Sequence, residues 1–436
     1  MKALIFIPGL FGSMGDDIIP GTGDWDFGLA AINYRPFIER LTSMGYKEGH
    51  DLFICFYDWR KSVKECTERY LVPKIHEVKA KCHQDKIDII AHSMGGLLGR
   101  CYMQSTLYSY DIDKFIMIGT PNTGSVKAYY PWAGGTIPPD DSAVGIASHW
   151  LLKGYAWLFA RILDAPSPLD AIHITLPSLQ DMLPSIQHPP YLISDEPFNQ
   201  KQFIPVERVY YRNHFLDELN RLSYNLFTRD IRISSIIGDT KPTMTHISVA
   251  RSAVASAAPA RVWPDGRPVR HYTSRHGDGT VLTASSGYIG GQQYVFPSYH
   301  SALPVEASHI ISYILGISKP VEPVHASSIT SYISIIADGP VSISLIHTDR
   351  GGSAQVHAMS NAKGQSWLFI PQPKLLPLSI SIKGLDSGEY VLGIDTPGAP
   401  IDRIFEFRSF IKNAEVQNIS IQITPFKRNP IIRRIR

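Results

Sequence analysis

One serine lies in a sequence context typical of a catalytic nucleophile. Ser93 is the centre of the pentapeptide Ala-His-Ser-Met-Gly at residues 91–95, which follows a mostly apolar run at 87–90 and precedes a second glycine. A nucleophile on a sharp strand-to-helix turn requires small residues two positions before and after it, as Ala91 and Gly95 are. The segment predicts a strand, a turn that exposes the serine, and a helix whose positive end faces developing negative charge.

A serine hydroxyl alone is a weak nucleophile, so this interpretation requires a histidine base and an orienting acid further along the chain. Asp278, flanked by glycine on both sides, is the predicted acid, and Asp239 is the alternative. His300, in a loop after a short apolar segment, is the predicted base, and His309, inside a predicted helix, is its alternative. Together these residues predict acyl transfer through a covalent serine intermediate.

An oxyanion hole needs two backbone N–H groups close to the serine. The first is predicted to be that of Met94, which directly follows the nucleophile. The second is expected from the loop after the first strand, Pro-Gly-Leu-Phe-Gly at 8–12, whose glycines allow close approach of the backbone. Phe11 is the predicted donor there, and Leu10 is the alternative.

The elements that would position these residues follow an alternating pattern of short apolar runs and amphipathic stretches up to about residue 315. Such alternation is typical of βα units around a mostly parallel sheet. The predicted strands are 4–7, 51–56, 87–91, 115–118, 231–237 and 294–296. The predicted helices are 34–43, 63–82, 94–105 and 307–315.

The chain is expected to contain two domains. Residues 1–318 form the predicted catalytic domain, with a proline-rich cap or lid insertion at about 126–227. Within the insertion, the tryptophan-rich segment 150–163 is interpreted either as a packed helix or as a lid over a lipid site. Residues 319–436 alternate apolar and polar side chains between turns, which predicts a smaller all-β sandwich. Its Leu-Asp-Ser-Gly-Glu-Tyr segment at 385–390 resembles the tyrosine corner of such sandwiches.

Composition excludes several classes of protein. The 436 residues carry 42 Lys and Arg against 39 Asp and Glu, a net charge of +3, so general nucleic-acid binding is not expected. No run reaches the roughly 18 apolar residues of a membrane span, so membrane contact is expected to be peripheral. The apolar start is too short for a signal peptide, which favours a cytoplasmic location. The four cysteines form no CxxC pair, and no motif predicts a metal or a cofactor.

Several segments together resemble the lecithin:cholesterol acyltransferase family of α/β-hydrolases. They occur in family order at residues 7–13, 34–37, 45–46, 51–53, 57–60, 91–96, 119–125, 277–281 and 300. The resemblance extends over about 1–316 and thins across 126–230. It implies an α/β-hydrolase fold with Ser93 as nucleophile, Asp278 as acid and His300 as base, and with Phe11 and Met94 as oxyanion donors.

Two features depart from the secreted vertebrate enzyme of that family. The early part of the chain has no cysteine pair placed like its lid disulfide, and the β-domain after 320 is not part of it. The resemblance therefore carries no expectation of an apolipoprotein activator or of cholesterol as acceptor.

The expected function is hydrolysis of carboxylic esters with lipid-like acyl groups, as in lipases, phospholipases and esterases. A lipid O-acyltransferase is the first alternative, because water and an alcohol use the same acyl-enzyme. Amide or peptide hydrolysis needs the same residues. A non-catalytic hydrolase fold that binds lipid or glycan is the alternative from another class.

Overall fold

The computed structural model describes residues 1–14, 24–139, 146–195, 202–250, 261–318, 321–326, 332–346, 356–360, 365–371, 378–396, 404–422 and 430–435. The predicted domain boundary at 319 lies outside these ranges. All four cysteines lie inside them and are free thiols. No helix in the described part of the chain is long and apolar enough to cross a membrane.

A six-stranded parallel sheet forms the centre of the first part of the chain. Its short strands are rich in Ile, Leu and Phe and are mostly buried, as expected when helices cover both faces. In spatial order the strands are Gln292–Phe296, Arg232–Gly238, Ile112–Ile118, Ile87–His92, Leu4–Ile7 and Leu52–Ile54. All six correspond to predicted strands, and the predicted α/β-hydrolase fold class is confirmed.

The four predicted helices are present at Ala31–Ser43, Val63–Cys82, Met94–Gln104 and Ser308–Leu315. The second consists of Val63–Cys66, one π-helical stretch at Thr67–Leu71, and Val72–Cys82. Ser62 caps its first turn by accepting the Glu65 N–H. Further short helices are Tyr129–Gly134, Pro168–Thr175, His214–Arg221, Asn225–Thr228, Thr283–Ser286 and Leu303–Glu306, with 3-10 turns at Gly28–Ala30, Val126–Ala128, Pro177–Met182 and Val206–Arg208.

A second, four-stranded sheet in the same part of the chain is not predicted by the sequence. Its strands, in spatial order, are Gln202–Ile204, Leu192–Ser194, Thr243–Ala250 and Arg267–Ser274. Two of them are three residues long, which is too short to give a periodic pattern.

Internal contacts divide the chain into two compact units. The first comprises Met1–Ser13, Ile32–Pro138 and Ile172–Ser327, and the second comprises Met14–Ala31, Pro139–Ala171 and Ser328–Arg436. The stretch 126–227, predicted as one insertion, is therefore shared between the two units.

The second unit contains a sandwich of two antiparallel sheets, as the sequence predicts. One sheet has the order His357–Ser360, Ser366–Pro371, Tyr332–Asp338, Gly388–Asp395 and Phe405–Ile411; the other has Val341–Leu345, Leu378–Gly384, Val416–Gln422 and Ile431–Ile435. Their facing isoleucines and leucines form the core. The Tyr390 hydroxyl donates to the Gln417 side chain at 2.9 Å and so links the two sheets.

The helix Ile146–Ile162 packs against this sandwich. The Tyr155 ring meets the Trp367 ring edge-on at 5.1 Å, and the Trp157 indole N–H donates to Glu406. Gly154 allows the close approach, since a Cβ there would lie 2.2 Å from the Trp367 ring. The contacts of Tyr155 and Trp157 fit the interpretation of segment 150–163 as a packed helix.

Candidate active site

The strand-turn-helix around Ser93 has the predicted geometry. Ser93 follows the strand Ile87–His92 and precedes the helix Met94–Gln104, with φ 54° and ψ −126°, a strained conformation for a residue with a side chain. Gly95 is required for packing, because a Cβ there would lie 2.5 Å from the carbonyl oxygen of Ile7.

The structure brings Ser93, His300 and Asp278 together although they are far apart in sequence. His300 Nε2 lies 2.9 Å from Ser93 Oγ, and His300 Nδ1 lies 2.7 Å from Asp278 Oδ2. A carboxylate only accepts hydrogen bonds, so Nδ1 carries the proton and Nε2 is the acceptor that faces the serine hydroxyl. The carboxylate is fully buried and the imidazole is partly exposed. This arrangement can remove the serine proton as the oxygen attacks a carbonyl carbon.

A tight loop fixes the Asp278 carboxylate. Asp278 Oδ1 accepts the backbone N–H groups of Thr280 at 2.9 Å and Val281 at 2.7 Å. Its carbonyl oxygen also accepts the His300 N–H at 2.8 Å, so acid and base are joined through backbone and side chain. Gly279 adopts φ +91°, and its N–H donates to Thr243 Oγ1 at 2.8 Å. Asp278 and Gly279 thus form a turn, and this turn also holds the carboxylate that contacts His300.

Gly119 directly follows the strand Ile112–Ile118 and lies against His300 and Asp278. Its φ of +56° favours glycine, and a Cβ there would lie 3.0 Å from His300 Nδ1 and 3.2 Å from Asp278 Oδ2. The glycine therefore leaves room for the hydrogen bond between base and acid.

The two alternative residues have other partners. Asp239 Oδ1 accepts the Thr283 hydroxyl at 2.8 Å and lies 3.7 Å from the exposed His276 ring. The ring of His309 faces Phe296, and its Nδ1 lies 3.1 Å from the Glu306 carbonyl oxygen. These contacts favour Asp278 and His300 as the partners of Ser93.

The predicted oxyanion loop forms a turn beside the serine. The Gly12 N–H donates to the Gly9 carbonyl at 3.0 Å, and Phe11 within the turn has φ 64°. The Phe11 ring contacts the Trp59 ring edge-on at 4.6 Å, which helps to fix the turn. A Cβ on Gly9 would lie 2.9 Å from Ser93 Cβ, so the turn closely approaches the nucleophile.

Met94 is the first residue of the helix after Ser93 and is fully buried. At this position the N–H has no acceptor within the helix, which leaves it suited to an external oxygen. Leu10, the alternative to Phe11, is the more exposed of the two.

Sequence reasoning missed two residues at this site, Tyr34 and His92. His92 lies directly before the nucleophile, and its ring bonds the Tyr34 hydroxyl and the His300 carbonyl oxygen. The only local signal is that Tyr34 falls in a segment that carries the family resemblance.

The cysteine thiols are not activated as nucleophiles, because burial raises the pKa of all four. Burial raises the pKa of Cys55 to about 12 and that of Cys101 to about 11, so both remain protonated at neutral pH.

Comparison with known proteins agrees with the sequence motifs. Residues 28–237 match the family model described as lecithin:cholesterol acyltransferase. Phospholipase A(1) LCAT3 of Arabidopsis thaliana is 34% identical over 96 residues, which are 21% of this chain and 22% of that protein. Lecithin-cholesterol acyltransferase-like 4 of the same plant is 31% identical over 96 residues, 21% and 18% of the two chains. The chain thus spans about a fifth of the length of these curated relatives.

The solved structures that match this chain include a lipase and a phospholipase. The Bacillus licheniformis lipase BlEst2 in propeptide form is 11% identical, with a TM-score of 0.39 over 97% of this chain and 94% of that one. Phospholipase PlaB from Legionella pneumophila is 11% identical, with a TM-score of 0.36 over 100% of both chains.

The family match includes Ser93, the strand before it and the helix after it, whereas Asp278 and His300 lie beyond the matched residues. The resemblance predicted from the sequence is therefore supported over residues 28–237, which match the model of the lecithin:cholesterol acyltransferase family.

Proposed function

We propose that this protein hydrolyses carboxylic esters of lipid-like acids, with Ser93 as nucleophile, His300 as general base and Asp278 as the acid that orients it. The observation that carries the proposal is the continuous hydrogen-bonded series from Ser93 Oγ through His300 to Asp278, built on a strained turn. Such a series in this order along the chain is the arrangement of α/β-hydrolases.

The reaction has two halves. In the first, His300 takes the Ser93 proton, Ser93 Oγ bonds to the ester carbonyl carbon, and the alcohol leaves with a proton from His300. In the second, water loses a proton to His300 and attacks the acyl-enzyme, which releases the acid and restores Ser93. Asp278 holds the imidazole in the required tautomer and stabilises its positive form.

The backbone N–H groups of Phe11 and Met94 are the proposed donors to the oxyanion. The positive end of the helix Met94–Gln104 adds to their effect, because its first N–H groups have no partners within the helix. Loss of one such donor in serine hydrolases costs on the order of 10²–10³ in kcat.

The proposed substrates are lipid esters, and contact with a lipid surface is peripheral. Support comes from the family of residues 28–237 and from the name phospholipase A(1) given to one plant relative. Tyr155 and Trp157 of the insertion add no support, because they pack against the sandwich.

The test is hydrolysis of p-nitrophenyl esters from acetate to palmitate by the parent protein and by Ser93→Ala. We expect turnover to be highest with long acyl chains, and the substitution to lower kcat by ~10⁴-fold or more. Ser105→Ala, which removes a hydroxyl that bonds Tyr102 at the end of the same helix, is the matched control and should keep the parental rate. Turnover by neither protein would favour the non-catalytic binding fold.

Acyl transfer to an alcohol is distinguished by its products. The parent protein is supplied with a phospholipid and a long-chain alcohol, and the fatty acid and the new ester are quantified. An excess of fatty acid supports the hydrolase; an excess of ester would assign the acyltransferase reaction to the same residues.

A further inference from the structure

Three hydrogen bonds connect the two loops that flank Ser93. The Gly9 N–H donates to the Tyr34 hydroxyl at 2.9 Å, the Tyr34 hydroxyl lies 2.9 Å from His92 Nδ1, and His92 Nε2 lies 3.0 Å from the His300 carbonyl oxygen. Both side chains are buried, with 5% of Tyr34 and 4% of His92 exposed. We refer to these three bonds as the Tyr34–His92 tether.

Only one assignment of protons gives every atom of the tether a partner. The His300 carbonyl oxygen can only accept, so His92 Nε2 carries a proton. A neutral His92 then has Nδ1 as acceptor, and the Tyr34 hydroxyl donates to it. The Tyr34 oxygen in turn accepts the Gly9 N–H. The hydrogen bonds therefore run in a fixed direction from Gly9 to Tyr34 to His92 to His300.

The surroundings keep both side chains neutral. Burial holds the pKa of His92 well below its usual value, and positive charge on His300 lowers it further. Burial also raises the pKa of Tyr34 above that of free tyrosine. The His92 and His300 rings lie 4.7 Å apart, so a charged His92 would oppose the imidazolium that forms on His300 during the reaction. A neutral His92 avoids that repulsion.

The tether joins the two groups whose spacing the chemistry requires. Gly9 opens the turn that closes at Gly12 and contains Phe11, the proposed oxyanion donor. His300 is the proposed base. A Cβ on Gly9 would lie 3.2 Å from the Tyr34 hydroxyl and 3.3 Å from His92 Nδ1, as well as 2.9 Å from Ser93 Cβ, so glycine is needed where these groups meet.

We propose that Tyr34 and His92 are positioning residues that hold the oxyanion turn and the base loop at a fixed separation across Ser93. The proposal rests on the function proposed above. Small displacements of reacting groups cost large factors in rate. Loss of the tether should therefore affect the chemical step more than substrate binding.

The first test is Tyr34→Phe, which keeps the ring and its edge-on contact with Phe6 at 5.5 Å. It leaves the Gly9 N–H and His92 Nδ1 without their partner. We expect kcat for a p-nitrophenyl ester to fall by ~10–100-fold, with little change in KM. Tyr102→Phe is the control: it removes the hydroxyl of another buried tyrosine, bonded to Asp111 at 2.8 Å, at the end of the helix after Ser93. It should lower thermal stability and preserve kcat.

The second test compares two substitutions of His92. His92→Gln offers an amide N–H to the His300 carbonyl oxygen, whereas His92→Leu offers none. We expect the glutamine variant to retain more of the parental kcat than the leucine variant at equal thermal stability. If Tyr34→Phe and both His92 variants lose stability while keeping kcat within about twofold, the two residues are structural only and the proposal is overturned.

A spectroscopic measurement separates failure of the tether from failure of the proposed function. In parent protein labelled with ¹⁵N-histidine, we expect His92 to show a single neutral ring with its proton on Nε2. Tyr34→Phe should speed hydrogen exchange of the Gly9 amide and shift the His300 ring signals, while Tyr102→Phe should do neither. Unchanged Gly9 exchange and His300 signals in Tyr34→Phe would overturn the tether even if no ester substrate were turned over.

Discussion

Two buried aspartates, one in each unit, show how the same side chain serves different purposes. Asp278 Oδ1 accepts two backbone N–H groups, and its Oδ2 accepts from His300. Asp395 Oδ1 lies 2.6 Å from the Lys153 ammonium, and its Oδ2 accepts the Tyr332 hydroxyl at 2.6 Å. Both carboxylates are almost fully shielded from solvent, with 1% and 3% of the residues exposed.

The difference lies in the partner. The His300 imidazole has a second nitrogen that faces a hydroxyl, so a change at Asp278 is transmitted to the nucleophile. The Lys153 ammonium has no acceptor atom, so it cannot take a proton from a further group. Asp395 therefore fixes the helix Ile146–Ile162 to the strand Gly388–Asp395. A buried acid thus supports chemistry when its partner has a second nitrogen that can accept a proton, and it supports packing when its partner carries donors only.

Replacing Asp278 gives the largest expected effect within this comparison. Asp278→Asn keeps the size of the side chain but favours the wrong imidazole tautomer, and should lower kcat by ~10⁴-fold. Asp239→Asn is the matched control and should retain kcat within about threefold, since Asp239 bonds Thr283. Steady-state kinetics with one p-nitrophenyl ester decides; the reverse order of effects would make Asp239 the acid.

Breaking the other pair should affect stability. Among the residues that the structure describes, Lys153→Met leaves the buried Asp395 charge with the Tyr332 hydroxyl alone, which should lower the free energy of unfolding by ~3–5 kcal/mol. Arg161→Met breaks more exposed pairs with Asp338 and Glu406, each expected to be worth ~0.2–1 kcal/mol. Urea unfolding of the full chain measures both. Equal losses of unfolding free energy from the two substitutions would show that burial does not make the pair of Lys153 and Asp395 more important for stability.

A third buried aspartate sharpens the comparison because it has neither kind of partner. Among the described residues, the Asp181 carboxylate accepts only the Val63 N–H, at 2.7 Å. Burial raises its pKa from 3.8 to about 7, against the opposing effect of that N–H. Because the folded-state pKa is the higher one, Asp181 contributes stability below pH 4 that is progressively lost as pH rises to about 7.

Asp181→Asn should therefore stabilise the protein at pH 8, by on the order of 1 kcal/mol or more, and have little effect at pH 4. Thermal unfolding of the two proteins across this range gives the result. A stabilisation that is the same at pH 8 and pH 4 would mean that Asp181 does not titrate in this window.

The central sheet was predictable because its signal is local. Four of its six strands, Leu4–Ile7, Leu52–Ile54, Ile87–His92 and Ile112–Ile118, are short runs rich in Ile, Leu and Phe, and burial on both faces lets them stay apolar. The serine turn was predictable for the same reason: Ala91, Ser93 and Gly95 are close in sequence. The acid and the base were predicted from the chain order of nucleophile, acid and base that is typical of α/β-hydrolases, and from the glycines on both sides of Asp278.

What could not be predicted depends on contacts between distant residues. The partner of the helix Ile146–Ile162 is set by acids such as Asp338 and Asp395 on the sandwich, which no pattern within the helix reveals. His92 is next to the nucleophile, but its partners Tyr34 and His300 are 58 and 208 positions away. Local spacing carries no information about such pairs.

The proposed mechanism requires a covalent acyl group on Ser93 during turnover. The measurement is intact-protein mass spectrometry of samples quenched in acid during turnover of a long-chain p-nitrophenyl ester, followed by peptide mapping. We expect a mass increase of one acyl group, located on Ser93, in the parent protein and in Asp278→Asn, and none in Ser93→Ala. An acyl group on another residue, or parental turnover by Ser93→Ala, would contradict the proposed mechanism.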